Sequence, residues 1–113
     1  MNYVYIHFTT LFTSEECVNE YDNIDDEYNA HQSGGRIINL NNETVLFSIG
    51  DFRSRYRSQM ENSIFGKVIR FNKKNKNYEV ISMGHRNPQG LFYNEEENFL
   101  LEAEHGPQGG DEI

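Results

Sequence analysis

Tryptophan is absent from this 113-residue chain, cysteine occurs once and proline twice. The lone Cys17 has no intrachain partner for a disulfide and excludes a zinc site built from thiolates. No segment approaches the roughly 20 consecutive apolar residues that a membrane-crossing helix needs. Met1 is not followed by a basic stretch and then an apolar one, so no leader of that type is legible either. Membrane insertion is not expected. Base is also missing from both ends: residues 1–35 and residues 87–113 each hold seven acidic groups and no Lys or Arg. A nucleic-acid partner is therefore not expected, because such proteins are usually basic overall and this chain carries a net charge of −8.

What is present is concentrated. All ten basic residues fall in residues 36–86 beside four acids, a net of +6 between two segments of −7. One reading is a solvated surface of mixed charge. The other is a cation-lined pocket for a small anion, flanked by carboxylates that favour a metal. Seven Tyr and eight Phe argue for a packed domain rather than a disordered chain, since aromatic side chains carry much of the burial energy. The negative mean hydropathy limits that core to a modest one. The length suits a single small domain, and a domain of this size buries only about two-thirds of its unfolded surface.

The pattern is one of short strands and turns without helical periodicity. Asn2–Phe8 alternates aromatic and aliphatic residues, as an extended strand does. Thr13–Asn29 is acidic and irregular, with Ser14-Glu15-Glu16 able to begin a helical turn. From Arg36 onward three hairpins are predicted. Arg36–Leu40 and Thr44–Ile49 flank the tight-turn pair Asn41-Asn42, Gly66–Phe71 and Tyr78–Met83 flank Asn72–Asn77, and Leu91–Tyr93 and Phe99–Ala103 flank Asn94–Asn98. Repeated antiparallel hairpins fit a propeller, a sandwich or a barrel. The chain stops at Gly109-Gly110-Asp111-Glu112-Ile113, where a loop leads toward another strand, so an interrupted architecture is expected.

Candidate chemistry lies in loops. His31 sits in Ala30-His31-Gln32-Ser33-Gly34-Gly35-Arg36, where glycines let a ligand come close. A neutral imidazole can take a proton from a sugar hydroxyl near neutral pH. Asp51 ends the strand at Ile49-Gly50-Asp51. Arg86, in the stretch Gly84 to Leu91, offers a permanent planar charge to a carboxylate or to negative charge growing on a quinone oxygen, with Asn87 beside it. Gly106 and Pro107 can present backbone carbonyls to a hard cation such as calcium, among the carboxylates Glu104, Asp111 and Glu112. Each feature has a plainer explanation taken singly: turn chemistry for the glycines and Asn-Pro, and a surface position for a lone His.

Together, and in order, these stretches resemble the glucose/sorbosone dehydrogenase family of quinone-dependent sugar dehydrogenases. The carrying residues are His31-Gln32-Ser33-Gly34-Gly35-Arg36, Ile49-Gly50-Asp51, Gly66-Lys67-Val68-Ile69-Arg70, Gly84 to Leu91 and Glu104 to Ile113. The resemblance covers residues 31–113, while residues 1–30 supply a leading strand and the acidic connection. It implies an all-β fold, part of a six-bladed β-propeller with about two to three blades' worth of hairpins. It also implies oxidation of an aldose by hydride transfer to pyrroloquinoline quinone (PQQ) held with calcium. By that resemblance His31 is the catalytic base, and Asp51 and Arg86 are catalytic residues. Arg86 and Asn87 contact the quinone, and the carbonyls of Gly106 and Pro107 ligate calcium. A periplasmic or secreted setting comes with it. Some members carry Asp directly before the His, where this chain has Ala30, and the run Phe52–Arg57 is unusually basic for a sugar pocket. The alternatives are a propeller that binds without catalysis and an inactive truncated fragment, which on its own is expected to unfold without sharp cooperativity and to aggregate.

Overall fold

The computed structural model describes residues 1–19, 21 and 31–113. Glu20 and residues 22–30, which include Ala30 and most of the acidic connection, lie outside the described residues. Among the described residues six strands form in chain order: β1 (Gly34–Asn39), β2 (Thr44–Ile49), β3 (Lys67–Asn72), β4 (Tyr78–Met83), β5 (Pro88–Asn94) and β6 (Phe99–Glu104). The first four make an antiparallel meander of order β1-β2-β3-β4, and β5 pairs with β6 in a second sheet. All three predicted hairpins are present. A propeller blade is a four-stranded sheet, so the described strands amount to one blade and half of another, fewer than the expected two to three.

Asparagine closes every hairpin by the same chemistry: a short side-chain carbonyl accepts from backbone N–H groups ahead of it. Asn41 Oδ1 accepts from the N–H of Glu43 and of Thr44, each at 2.9 Å. Asn72 Oδ1 accepts from Lys74 at 2.9 Å and Asn75 at 3.1 Å. Asn94 Oδ1 accepts from Glu97 at 3.0 Å, and the Tyr93 hydroxyl donates to Asn98 Oδ1 at 2.8 Å.

The alternation of β2 and β3 divides the core between the two faces of the first sheet. On one face Leu46 and Val68 meet Leu91 of β5, with Ile38, Leu40 and Leu100 packed around them. This contact joins the two sheets, at about 1.5–3 kcal/mol per buried aliphatic side chain. On the opposite face Ile69 packs with Ile64 and Phe65, and Phe12, Val18, Phe47, Ile49 and Phe52 surround them. Phe12 comes from the N-terminal segment, its ring 5.4 Å from Phe47, 5.5 Å from Phe71 and 5.3 Å from Tyr78.

One expectation fails near the N-terminus. Asn2–Phe8 forms no strand, and its Tyr3, Val4, Tyr5, Ile6 and Phe8 are exposed. Alternation can mark a strand, but a strand needs a hydrogen-bonded neighbour, and none lies beside this segment among the described residues. Ser14 begins no helix; its hydroxyl accepts from the Glu16 N–H at 3.1 Å and makes a local turn. The one α-helix among the described residues, α1 (Arg55–Ser58), lies instead in the basic run.

Within that run Arg57 is held by specific contacts. Glu16 pairs with Arg57, accepts from the Ser63 hydroxyl at 2.9 Å and accepts from the Ile64 N–H at 2.7 Å. The Arg57 guanidinium also lies over the rings of Tyr56 and Phe65. Behind the helix, Lys67 is completely buried. Its Nζ donates to the carbonyls of Arg57 at 3.0 Å, Ser58 at 2.8 Å and Phe65 at 2.8 Å. An ammonium has three N–H bonds, and all three are used.

Candidate functional site

The site lies where four loops meet beside the ends of β1, β2, β5 and β6. Close backbone approach makes this meeting possible. The loop before β1 crosses over Gly50 so tightly that a Cβ there would stand 1.8 Å from the Gln32 carbonyl oxygen. The Gly50 N–H donates to the Ser33 carbonyl at 2.9 Å and the Phe52 N–H to the Gln32 carbonyl at 3.2 Å. The last loop folds on itself in the same way, since a Cβ on Gly106 would stand 1.6 Å from the Gly110 oxygen. These two glycines serve close contact rather than the turn chemistry that the sequence alone suggests.

Arg86 joins the four loops. Its carbonyl accepts from the Asp51 N–H at 2.9 Å. Its Nη1 donates to the Gly106 carbonyl at 2.6 Å and to the His105 carbonyl at 3.2 Å. Its Nη2 donates to the Gln32 side-chain oxygen at 2.9 Å. The same Gln32 oxygen accepts from Arg53 Nε at 3.2 Å, while the amide nitrogen donates to Asp51 Oδ1 at 3.1 Å. Arg86 Nε is buried and has no acceptor among the described residues.

Asp51 is 2% exposed, and its carboxylate also accepts from the Arg53 N–H at 2.7 Å. Asn87 Oδ1 accepts from the Gly34 N–H at 3.2 Å, which pins the glycine-rich loop to the start of β5. Ser48 adds a second tie, donating to the Pro88 carbonyl at 2.6 Å and accepting from the Arg36 N–H at 3.0 Å.

The end of β6 contributes carboxylates. Glu104 Oε2 accepts from the Arg86 N–H at 2.7 Å and from the Asn87 N–H at 3.3 Å, holding the backbone of both residues. Glu102 lies beside it, with Oε1 buried and lacking a hydrogen-bond partner among the described residues. Burial first, and then the charges of Glu104 and Glu112, push the Glu102 carboxyl up to about 7.

The structure therefore gathers Asp51, Arg86, Asn87 and Gly106 into one network. Pro107 follows Gly106 in an exposed turn, and its carbonyl accepts from the Gly110 N–H at 3.1 Å. His31 is exposed and adjoins Gln32, at the solvent side of the network. Two members were not singled out by sequence reasoning. Gln32 bridges Asp51 and Arg86, and its only signal was its place between His31 and the glycines. Glu104 looked like one more source of negative potential, yet it is the acceptor that sets the Arg86–Asn87 backbone.

Comparison with known proteins places the chain in a family. The family model described as Glucose / Sorbosone dehydrogenase matches residues 9–113. Aldose sugar dehydrogenase YliI of Escherichia coli K12 is 31% identical over 93 residues, covering 71% of this chain and 25% of that protein. The crystal structure of the soluble aldose sugar dehydrogenase from Escherichia coli, in its apo form, superposes with a TM-score of 0.60 at 30% identity, over 70% of this chain and 26% of that one. A glucose dehydrogenase-type oxidoreductase from Thermus thermophilus gives a TM-score of 0.64 at 32% identity, over 75% of this chain and 30% of that one. The chain thus spans about a quarter of the length of the curated relatives it matches. Its all-β sheets are part of a β-propeller, and the chain belongs to the glucose/sorbosone dehydrogenase family.

Proposed function

We propose that this chain carries the base and part of the cofactor site of a PQQ-dependent aldose dehydrogenase, within a larger propeller. The observation that carries the reading is the Arg86 network, in which Gln32 links Arg86 to Asp51, Arg86 donates directly to the Gly106 carbonyl, and Glu104 holds the Arg86 and Asn87 backbone together.

The residues fit a quinone held with a hard cation. The buried Arg86 Nε, without an acceptor among the described residues, is a donor in want of one. The carbonyls of Gly106 and Pro107 each accept one internal donor, which leaves each a second lone pair. A cation on that second lone pair of the Gly106 oxygen would stand close to the Arg86 guanidinium, and like-charge repulsion would weaken the Arg86–Gly106 hydrogen bond. Arg86 and Asn87 would then hold the quinone, and Gly106 and Pro107 the calcium. When bound, the quinone supplies the carbon that accepts a hydride from the sugar.

The chain's own residues do the rest. His31 takes the proton of the sugar hydroxyl, and its solvent-exposed position is open to an aldose. Asp51, buried and hydrogen-bonded to Gln32, keeps the loop after His31 and the Arg86 guanidinium in fixed relation. A periplasmic or secreted location accompanies this reading.

The test uses the complete protein that contains this sequence, supplied with calcium and PQQ, while dye reduction by aldoses is followed. Reduction that is lost in His31→Ala and Arg86→Ala supports the proposal. A folded protein that binds PQQ but reduces no dye with any aldose would leave a binding propeller instead.

A further inference from the structure

His85 directly precedes Arg86, and the proposed chemistry makes no use of its side chain. Its ring nitrogen Nδ1 lies 3.5 Å from Glu102 Oε2 and 3.7 Å from Glu104 Oε1. One ligand atom from each of the three residues falls within 4.8 Å of the others. The three side chains are only 13%, 16% and 9% exposed, so this is not a solvated acidic surface.

Three observations bear on which atoms the cluster can offer a cation. His85 Nε2 stands 2.7 Å from Ser82 Oγ. With Nε2–H donating to that hydroxyl, the Nδ1 lone pair faces the carboxylates, which is how a second partner orients a ligating imidazole. Glu104 Oε2 is taken by the N–H groups of Arg86 and Asn87, which leaves Oε1 for the cluster. Glu102 Oε1 is buried with no hydrogen-bond partner among the described residues. A buried carboxylate oxygen in that state is costly unless a cation or a proton sits against it.

We propose that His85, Glu102 and Glu104 bind one divalent transition-metal ion of the zinc type. The geometry favours this class. In a tetrahedral site with bonds of about 2.0–2.1 Å, neighbouring ligand atoms stand about 3.3 Å apart. The His85–carboxylate separations of 3.5 and 3.7 Å need only small closing movements, and all three ligand atoms already lie within 4.8 Å of one another. An imidazole beside two carboxylates suits zinc, whereas calcium prefers an all-oxygen shell. The remaining exposure leaves room for a solvent ligand in the fourth position. The ion would fasten β6 to the loop before β5. Through Glu104 it would brace the backbone that carries Arg86 and Asn87.

The test is titration of the metal-free complete protein that contains this sequence with Zn²⁺ against a chromophoric chelator, for wild type, His85→Gln, Glu102→Gln and His105→Gln. The expected result is one equivalent bound, weakened at least about 100-fold in the first two variants and unchanged in the third. His105 is an informative control because it is exposed and has its own acidic neighbour, Asp111, at 3.6 Å. Nitrogen NMR of wild type supplies a readout that needs no variant. The Nδ1 signal of His85 should shift on adding Zn²⁺, while Nε2 keeps the signature of a protonated nitrogen. Absence of stoichiometric binding, binding that survives both substitutions, or an unmoved Nδ1 signal overturns the proposal and leaves a proton as the cluster's partner.

Discussion

Replacing Lys67 with Met tests whether a buried charge is a mainstay of this fold. The side chain is wholly enclosed, and its ammonium donates to the carbonyls of Arg57, Ser58 and Phe65. Hydrogen bonds to a charged group contribute about 1.5–3 kcal/mol each, so the gross loss on substitution is about 4–9 kcal/mol. Two terms reduce it. The Arg57 carbonyl also accepts from the Met60 N–H at 3.1 Å, and the Ser58 carbonyl from the Gly84 N–H at 3.0 Å, so neither is stranded. Met also avoids the desolvation of an ammonium, a cost of several kcal/mol. The expected net destabilisation is about 2–4 kcal/mol.

Urea unfolding of the complete protein that contains this sequence, followed by circular dichroism and tyrosine fluorescence, would measure the change as a lower midpoint at similar slope. A second signature follows from linkage. Burial pushes the Lys67 pKa below 10.5, partly offset by Glu16, so the unfolded chain holds this proton to higher pH than the folded one. Wild type should therefore gain stability as pH rises toward 10.5, and Lys67→Met should lack that component. A Met variant as stable as wild type, or more stable, would refute the reasoning and show that apolar packing serves this position equally well.

Three further outcomes are expected. Gln32→Leu removes the bridge among Asp51, Arg53 and Arg86 and should cost about 2–3 kcal/mol in urea unfolding, with weaker PQQ binding in the complete protein. Glu16→Ala removes the acceptor shared by Arg57, Ser63 and Ile64 and should cost about 3 kcal/mol, accompanied by loosening of the Phe12 segment seen in amide hydrogen exchange. In EDTA, Glu102→Gln should stabilise the chain. The raised carboxyl, facing His85, Glu104 and Glu112, contributes favourably below its ordinary 4.5 and loses that contribution as pH passes about 7. The advantage of Gln should thus grow between those pH values to about 1–2 kcal/mol, after discount for partial solvent screening, and a pH-independent difference would contradict it.

Local chemistry made much of the fold legible. The Asn-led turns, the β-branched and aromatic runs beside them and the ordered loop motifs act over a few residues, so the sequence displays them directly. The three hairpins follow from that. Asn2–Phe8 shows the limit, because its alternation meets every local criterion for a strand and yet no neighbour among the described residues completes the ladder. The basic run after Asp51 shows a second limit. Its charge looked foreign to a sugar pocket until the fold placed Glu16 against Arg57 and Gln32 against Arg53.

The sequence by itself determined the residue types at the site and the order in which they occur. Arg86, Asn87, Asp51 and Gly106 were each visible as motif residues. Only the tertiary structure decided that one glutamine and one arginine tie them into a single network. It also decided that Glu104 fixes the backbone between them and that Lys67 is buried. The physical reason is distance along the chain: hydrogen bonds such as Arg86 to Gly106 and Asn87 to Gly34 join residues 20 and 53 positions apart. Which acceptor meets which donor across such gaps depends on strand register and close glycine contacts, and those exist only once the sheets have packed.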